Sequence, residues 1–114
     1  LFANTLVGTR PELAVTFVEN HDTQPGQSLE STVAPWFKLS AYALILLRDS
    51  GVPCVFWGDL LGSGDSLPAV SELPFLMRVR KAAAQGPQFD AFDDPAVVGF
   101  SRQGSKAIHR LVAQ

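Results

Sequence analysis

The chain holds one cysteine, Cys54, one methionine and one tyrosine. A lone cysteine excludes a disulfide-stapled scaffold, and no C-x-x-C pair offers a structural zinc site. An excess of either charge is also missing. Nine Lys+Arg stand against eleven Asp+Glu in 114 residues, a formal net charge of −2 at pH 7, and the sequence pI is about 5.5. With no basic surplus to neutralise a phosphate backbone, general nucleic-acid binding is excluded. No apolar run approaches the roughly 18 residues of a bilayer span; the densest, residues 41–47, stops at Arg48-Asp49. The first residues, beginning at Leu1, lack the basic flank and apolar core of a signal peptide, and the chain reads as an internal excerpt. What is present is 46% apolar and 10% aromatic. That is too much for a disordered chain and predicts a globular domain or part of one.

Residues 13–18 (LAVTFV) are bounded by Pro11 and a polar cluster and rich in β-branched side chains. They predict a strand apolar on both faces, the pattern of a parallel strand covered on both sides. A polar loop over 19–31 contains Pro25-Gly26. Pro35 suits a first helical turn. Trp36, Phe37, Ser40, Ala41, Leu44 and Leu47 recur at helical spacing, predicting a buried stripe widened by Ile45 and Leu46. Arg48 complements the helix dipole, Gly51 supplies a left-handed cap, and Pro53 prevents continuation. Residues 54–57 (CVFW) read as a second buried strand ended by Gly58-Asp59. Strand, helix, strand predicts a βαβ unit with parallel strands.

A Gly/Ser/Asp-rich loop over 58–66 follows, then a helix over 70–85 stopped by Gly86-Pro87, and a strand over 97–101 turning at Gln103-Gly104. The change from βα alternation to short β segments places a domain boundary near residue 95. Two parallel strands apolar on both faces need further elements to cover them. We therefore expect the chain to be part of a doubly wound sheet or of an eight-stranded barrel of about 250 residues.

In both architectures the active site lies at the carboxyl ends of the strands. The first strand ends in Glu19-Asn20-His21-Asp22-Thr23-Gln24 and the second in Gly58-Asp59. From pattern alone His21-Asp22 reads as a substrate-gripping pair, a metal site, half of a triad, or a polar loop whose side chains satisfy turn backbone groups. Two adjacent ligands are too few for zinc, H-E-x-x-H is absent, and so is a G-x-S-x-G elbow. Asp59 reads first as a turn or cap residue. Arg78, Arg80 and Lys81 read as a solvated helix face, Trp36 and Phe37 as core, and Cys54 as a buried small hydrophobe. His109 lies in a tail that no pattern places.

Residues 14–33 (AVTFVENHDTQPGQSLESTV) resemble the α-amylase family, glycoside hydrolase family 13, and within it the bacterial liquefying and fungal intracellular branch. Phe17-Val18-Glu19-Asn20-His21-Asp22 matches the family's fourth signature segment F-V-D-N-H-D, with Glu19 where many members carry Asp. The likeness continues through Trp36-Phe37-Lys38, Ala41-Tyr42-Ala43, Gly51-x-Pro53-x-Val55-Phe56-x-Gly58-Asp59, Arg80-Lys81 and Val98-Gly99-Phe100, covering residues 4–104. It implies an α/β fold, a partial (β/α)8 TIM barrel. Residues 1–95 would be its seventh and eighth βα units, and residues 96–114 would start an all-β sandwich domain. The tail over 105–114 is atypical of that domain's next strand.

The resemblance also implies retaining endo-hydrolysis of α-1,4-glucosidic bonds in starch or glycogen. Such an enzyme needs a nucleophile and an acid/base carboxyl about 5–5.5 Å apart. The family's G-x-R-x-D and Glu motifs are absent, so both groups are implied to lie outside this chain, which alone is expected to be inactive. Asp22 would be the transition-state-stabilising carboxylate, gripping the 2- and 3-hydroxyls of the sugar at the cleavage point. His21, Asn20 and Gln24 would bind substrate. No cofactor and no metal ligand are implied within the segment. The parent's calcium would use residues outside it, and Pro95-Ala96 stand where liquefying relatives carry a His-Asp pair for an inter-domain calcium. The implied partners are an α-glucan and the rest of the barrel, which folding would require, with no nucleic acid and no membrane. The alternatives are an α-glucan-active transglycosidase or α-1,6-glucosidase, or a non-catalytic carbohydrate-binding barrel; Q-P-G-Q-S-L-E-S favours the hydrolase.

Overall fold

The computed structural model describes residues 2–64, 66–94 and 96–104; the expectations for Pro95, His109 and the tail over 105–114 lie outside the described residues. A short helix α1 (Leu6–Thr9) is capped by Thr5, whose side-chain oxygen accepts from the Gly8 N–H at 3.1 Å. A 3-10 turn (Pro11–Leu13) then leads into β1 (Val15–Phe17). Helix α2 (Pro35–Leu47) carries the chain to β2 (Val52–Cys54). β2 lies parallel to β1 in the register Val15↔Val52, Thr16↔Pro53, Phe17↔Cys54. The parallel strand–helix–strand unit expected from the sequence is therefore present.

The second strand lies earlier than the apolar run over 54–57 indicated. It ends at Cys54, and Trp57 already begins α3 (Trp57–Leu61). Short apolar runs do not separate strand from helix by periodicity; among the described residues β2 pairs with β1 alone. Cys54 is exposed, not buried, since nothing in the described chain covers that position. Val15, Phe17 and Val52 are exposed too. The two-stranded sheet thus presents apolar side chains that it does not itself cover.

The buried face of α2 also differs from the predicted stripe. Lys38, Tyr42 and Leu46, spaced four apart, are its buried residues, while Trp36 is 83% exposed and Phe37 39%. Helix α4 (Leu73–Ala82) decides this by packing on the Tyr42–Leu46 side. Tyr42, Leu46 and Leu73 make the core, with Val18, Ile45, Val55, Leu60, Val70 and Leu76 against them. The opposite side of α2, through Phe37, Ser40, Leu44 and Leu47, borders an open cavity of about 520 Å³ shared with Val98 and Phe100.

The last described elements form an antiparallel hairpin, β3 (Gln88–Asp94) with β4 (Val97–Arg102). The strand over 97–101 was expected; its partner β3 (QFDAFDD) was not, because acids interrupt its apolar residues. Arginines tie the carbonyl end of α2 to its neighbours. Arg102 donates to the Leu47 carbonyl at 2.9 Å and to the Gly86 carbonyl, and Arg80 donates to the Leu46 carbonyl. Arg48 sits 5.4 Å and 5.1 Å from the rings of Phe2 and Phe100 and 3.3 Å from Asp90. Arg80 is therefore no solvated spectator, contrary to the reading of its cluster.

Gly51 turns the chain from α2 into β2 with φ +80°, and a Cβ there would meet Thr16 Cγ2 at 2.9 Å. Gly51→Ala is expected to cost about 1–2 kcal/mol from the left-handed backbone alone, with the contact adding to it. A urea unfolding midpoint equal to that of the native sequence would show the turn to be indifferent to the side chain.

Candidate functional site

Beyond β1 the chain enters a loop that folds on itself. The Asn20 Oδ1 accepts from the backbone N–H of Asp22 at 2.9 Å and of Thr23 at 3.1 Å, and the Asn20 carbonyl accepts from Gln24 N–H at 3.1 Å. This is an Asx-type turn, the local alternative to a ladder that Asn favours. Further along, Ser31 N–H donates to the Thr23 carbonyl at 3.0 Å, and the Glu30 carboxylate accepts from Gly26 N–H at 2.8 Å. The turn carries His21 and Asp22 on its outside, with side chains 81% and 64% exposed and His21 Nε2 3.3 Å from Asp22 Oδ1. Of the four residues singled out in the sequence, His21 and Asp22 stand together at the surface. The Asn20 side-chain oxygen is engaged by the turn, and Gln24 is half-buried beside it.

Beneath this turn lies a buried polar cluster that sequence reasoning did not assemble. Glu19 (2% exposed), Lys38 (6%) and Asp59 (0%) are all withdrawn from solvent. Lys38 Nζ donates to Asp59 Oδ1 at 2.5 Å and lies 3.5 Å from Glu19 Oε2. Tyr42 OH donates to Asp59 Oδ2 at 2.6 Å and accepts, at 3.4 Å, from the Phe56 N–H. Thr23 Oγ1 donates to Glu19 Oε1 at 2.6 Å. Burying charge is costly unless it is paired and hydrogen-bonded, and here one ammonium serves two carboxylates. Burial, and then the Asp59 carboxylate that takes its proton in a hydrogen bond, hold the Tyr42 hydroxyl well above its ordinary pKa, so it stays a donor.

Asp59 is consequently not the cap its position suggested. The N-cap of α3 is Phe56, and no side chain caps that end; Asp59 turns inward instead. A signal for this existed. Lys38 and Tyr42 are four apart in α2, hence on one helix face, and a lysine sharing a face with a tyrosine and Leu46 needs a carboxylate within reach.

A cavity of about 400 Å³ opens beside the loop, lined by Pro25, Trp36, Lys38, Leu67 and Glu72 among others; neither His21 nor Asp22 lines it. Among the described residues no group of three His, Cys, Asp or Glu side chains is placed to hold a metal ion, and no helix is long and apolar enough to cross a membrane.

No family model matches the chain. Individual relatives do. An α-amylase of Bacillus licheniformis is 50% identical over 113 residues, 95% of this chain and 22% of the relative. An α-amylase of Geobacillus stearothermophilus is 48% identical over 106 residues, 91% of this chain and 19% of the relative. A cytoplasmic α-amylase of Escherichia coli K12 is 47% identical over 117 residues, 92% of this chain and 24% of the relative. The chain therefore spans about a fifth of the length of the relatives it matches.

Proposed function

We propose a function for a chain that belongs to the α-amylase family. The full-length protein hydrolyses α-1,4-glucosidic bonds within starch or glycogen with retention of configuration, and this segment supplies one of its three carboxylates. The observation that carries the reading is an exposed His21-Asp22 pair at the exit of β1 in a chain 50% identical to an α-amylase. The parallel β1–β2 pair with uncovered Val15, Phe17 and Val52 supports a place among further strands. On this reading residues 1–95 are the seventh and eighth units of a (β/α)8 barrel, and residues 96–114 begin a β-sandwich domain.

Asp22 accepts hydrogen bonds from the 2- and 3-hydroxyls of the sugar being cleaved. Those bonds strengthen as the ring flattens and gains positive charge, so they act on the transition state more than on bound substrate. His21 binds the same sugar; its ring nitrogens donate in the charged form, and one donates in the neutral form. Gln24 and Asn20 complete the contact, Asn20 chiefly by holding the turn. The nucleophile and the acid/base lie in other segments, so the isolated chain is inactive. Calcium in the parent would be held by residues outside this segment.

Starch digestion by the full-length protein tests this. Viscosity should fall before reducing ends accumulate, and NMR of the first product should show the α-anomer. A β-anomer as first product, transfer to an acceptor sugar without net hydrolysis, or glucan binding without turnover would overturn it.

A further inference from the structure

We propose that Lys38 is a positioning residue for Asp22, a role that rests on the function proposed above. Asp22 is exposed, and what holds it is local: the backbone turn on Asn20 Oδ1, and the bond from Thr23 Oγ1 to Glu19 Oε1 at 2.6 Å. Thr23 directly follows Asp22, so the second tether acts one peptide from the reacting group. It is only as firm as Glu19. That side chain is fully buried, and its other oxygen, Oε2, has no hydrogen-bond partner among the described residues. Its nearby cation is Lys38, at 3.5 Å, itself held by Asp59 on α3 at 2.5 Å. Lys38 thus joins the exit of β1 to the segment that follows β2.

Without its ammonium, two carboxylates share a buried site with no positive charge, a state relieved by proton uptake or by movement of a side chain toward water. Glu19 would then release Thr23. Transition-state contacts tolerate such displacement poorly, a shift of about 1 Å costing on the order of 10²-fold in rate, whereas looser ground-state binding tolerates it better.

The test compares three variants of the full-length protein by kcat, KM and inhibition by a half-chair-mimicking pseudo-oligosaccharide. Thr23→Val, which cuts the tether and leaves Lys38 paired, should lower kcat about tenfold, and Lys38→Met on the order of 10²-fold. KM should stay within about twofold, while inhibitor affinity falls in parallel with kcat. If Lys38→Met does not fold, Thr23→Val decides. Wild-type kcat in Thr23→Val or in folded Lys38→Met, or a rise in KM at constant kcat, overturns the positioning role. Asp22→Asn runs alongside. If it abolishes turnover while Thr23→Val does not alter it, only the positioning role falls; if it too retains turnover, the functional reading itself falls.

Discussion

Asparagine in place of Asp22 is expected to lower kcat of the full-length protein by at least about 10²-fold, the order lost when one preorganised transition-state contact is removed. The side chain is 64% exposed, and what the loop takes from this residue is its backbone N–H, donated to Asn20 Oδ1. The exchange keeps shape and backbone bonding and removes only the negative charge. Stability should therefore move by no more than about 0.5 kcal/mol, as for surface substitutions generally. On the function proposed above the effect belongs on kcat, because charge on the sugar would develop only as the bond breaks. Steady-state kinetics beside a thermal melt separates the two, and near-native kcat in a folded variant would remove Asp22 from the chemistry.

Asp59→Ala should cost about 3 kcal/mol of stability, the low end of what breaking a buried ion pair costs, because it removes the nearer of the two carboxylates that compensate a buried ammonium. Lys38 would keep only the 3.5 Å approach to Glu19, and the Tyr42 hydroxyl would lose the acceptor it meets at 2.6 Å. Tyr42→Phe keeps the ring in the core with Leu46 and Leu73 and removes one hydrogen bond to a charged group, worth about 1.5–3 kcal/mol. Groups in one network do not act independently. The double variant Asp59→Ala/Lys38→Met should thus be less destabilised than its two single changes added together. Urea unfolding of the four proteins measures this, and additive losses would mean that Asp59 and Lys38 are not coupled.

The cluster shows why part of the site was legible in the residue order and part was not. His21 and Asp22 announced themselves as consecutive polar groups closing an apolar run, a pattern contained within one loop. Glu19, Lys38 and Asp59 come from three separate stretches, and each looks ordinary alone: the end of a strand, a charge on a helix, an acid after glycine. Their meeting depends on β1 and β2 lying parallel and in register, with α2 across them. The same limit explains the misjudged face of α2. Its side chains are apolar nearly all round, so periodicity did not determine whether Trp36 or Tyr42 faces inward; contact with α4 did.

Residue order alone determined the local geometry. Pro35 starts α2, Gly51 turns out of it, Asn20 closes the loop after β1, and residues 14–33 carry the resemblance to the α-amylase family. Those outcomes depend on backbone sterics and on hydrogen bonds spanning a few residues, which sequence encodes directly. Tertiary structure decided which side of α2 is buried, where β2 ends and α3 begins, and that one lysine is shared by two buried carboxylates. These depend on which distant surfaces exclude water together, and a charge is driven to find its partner only once the fold has closed around it.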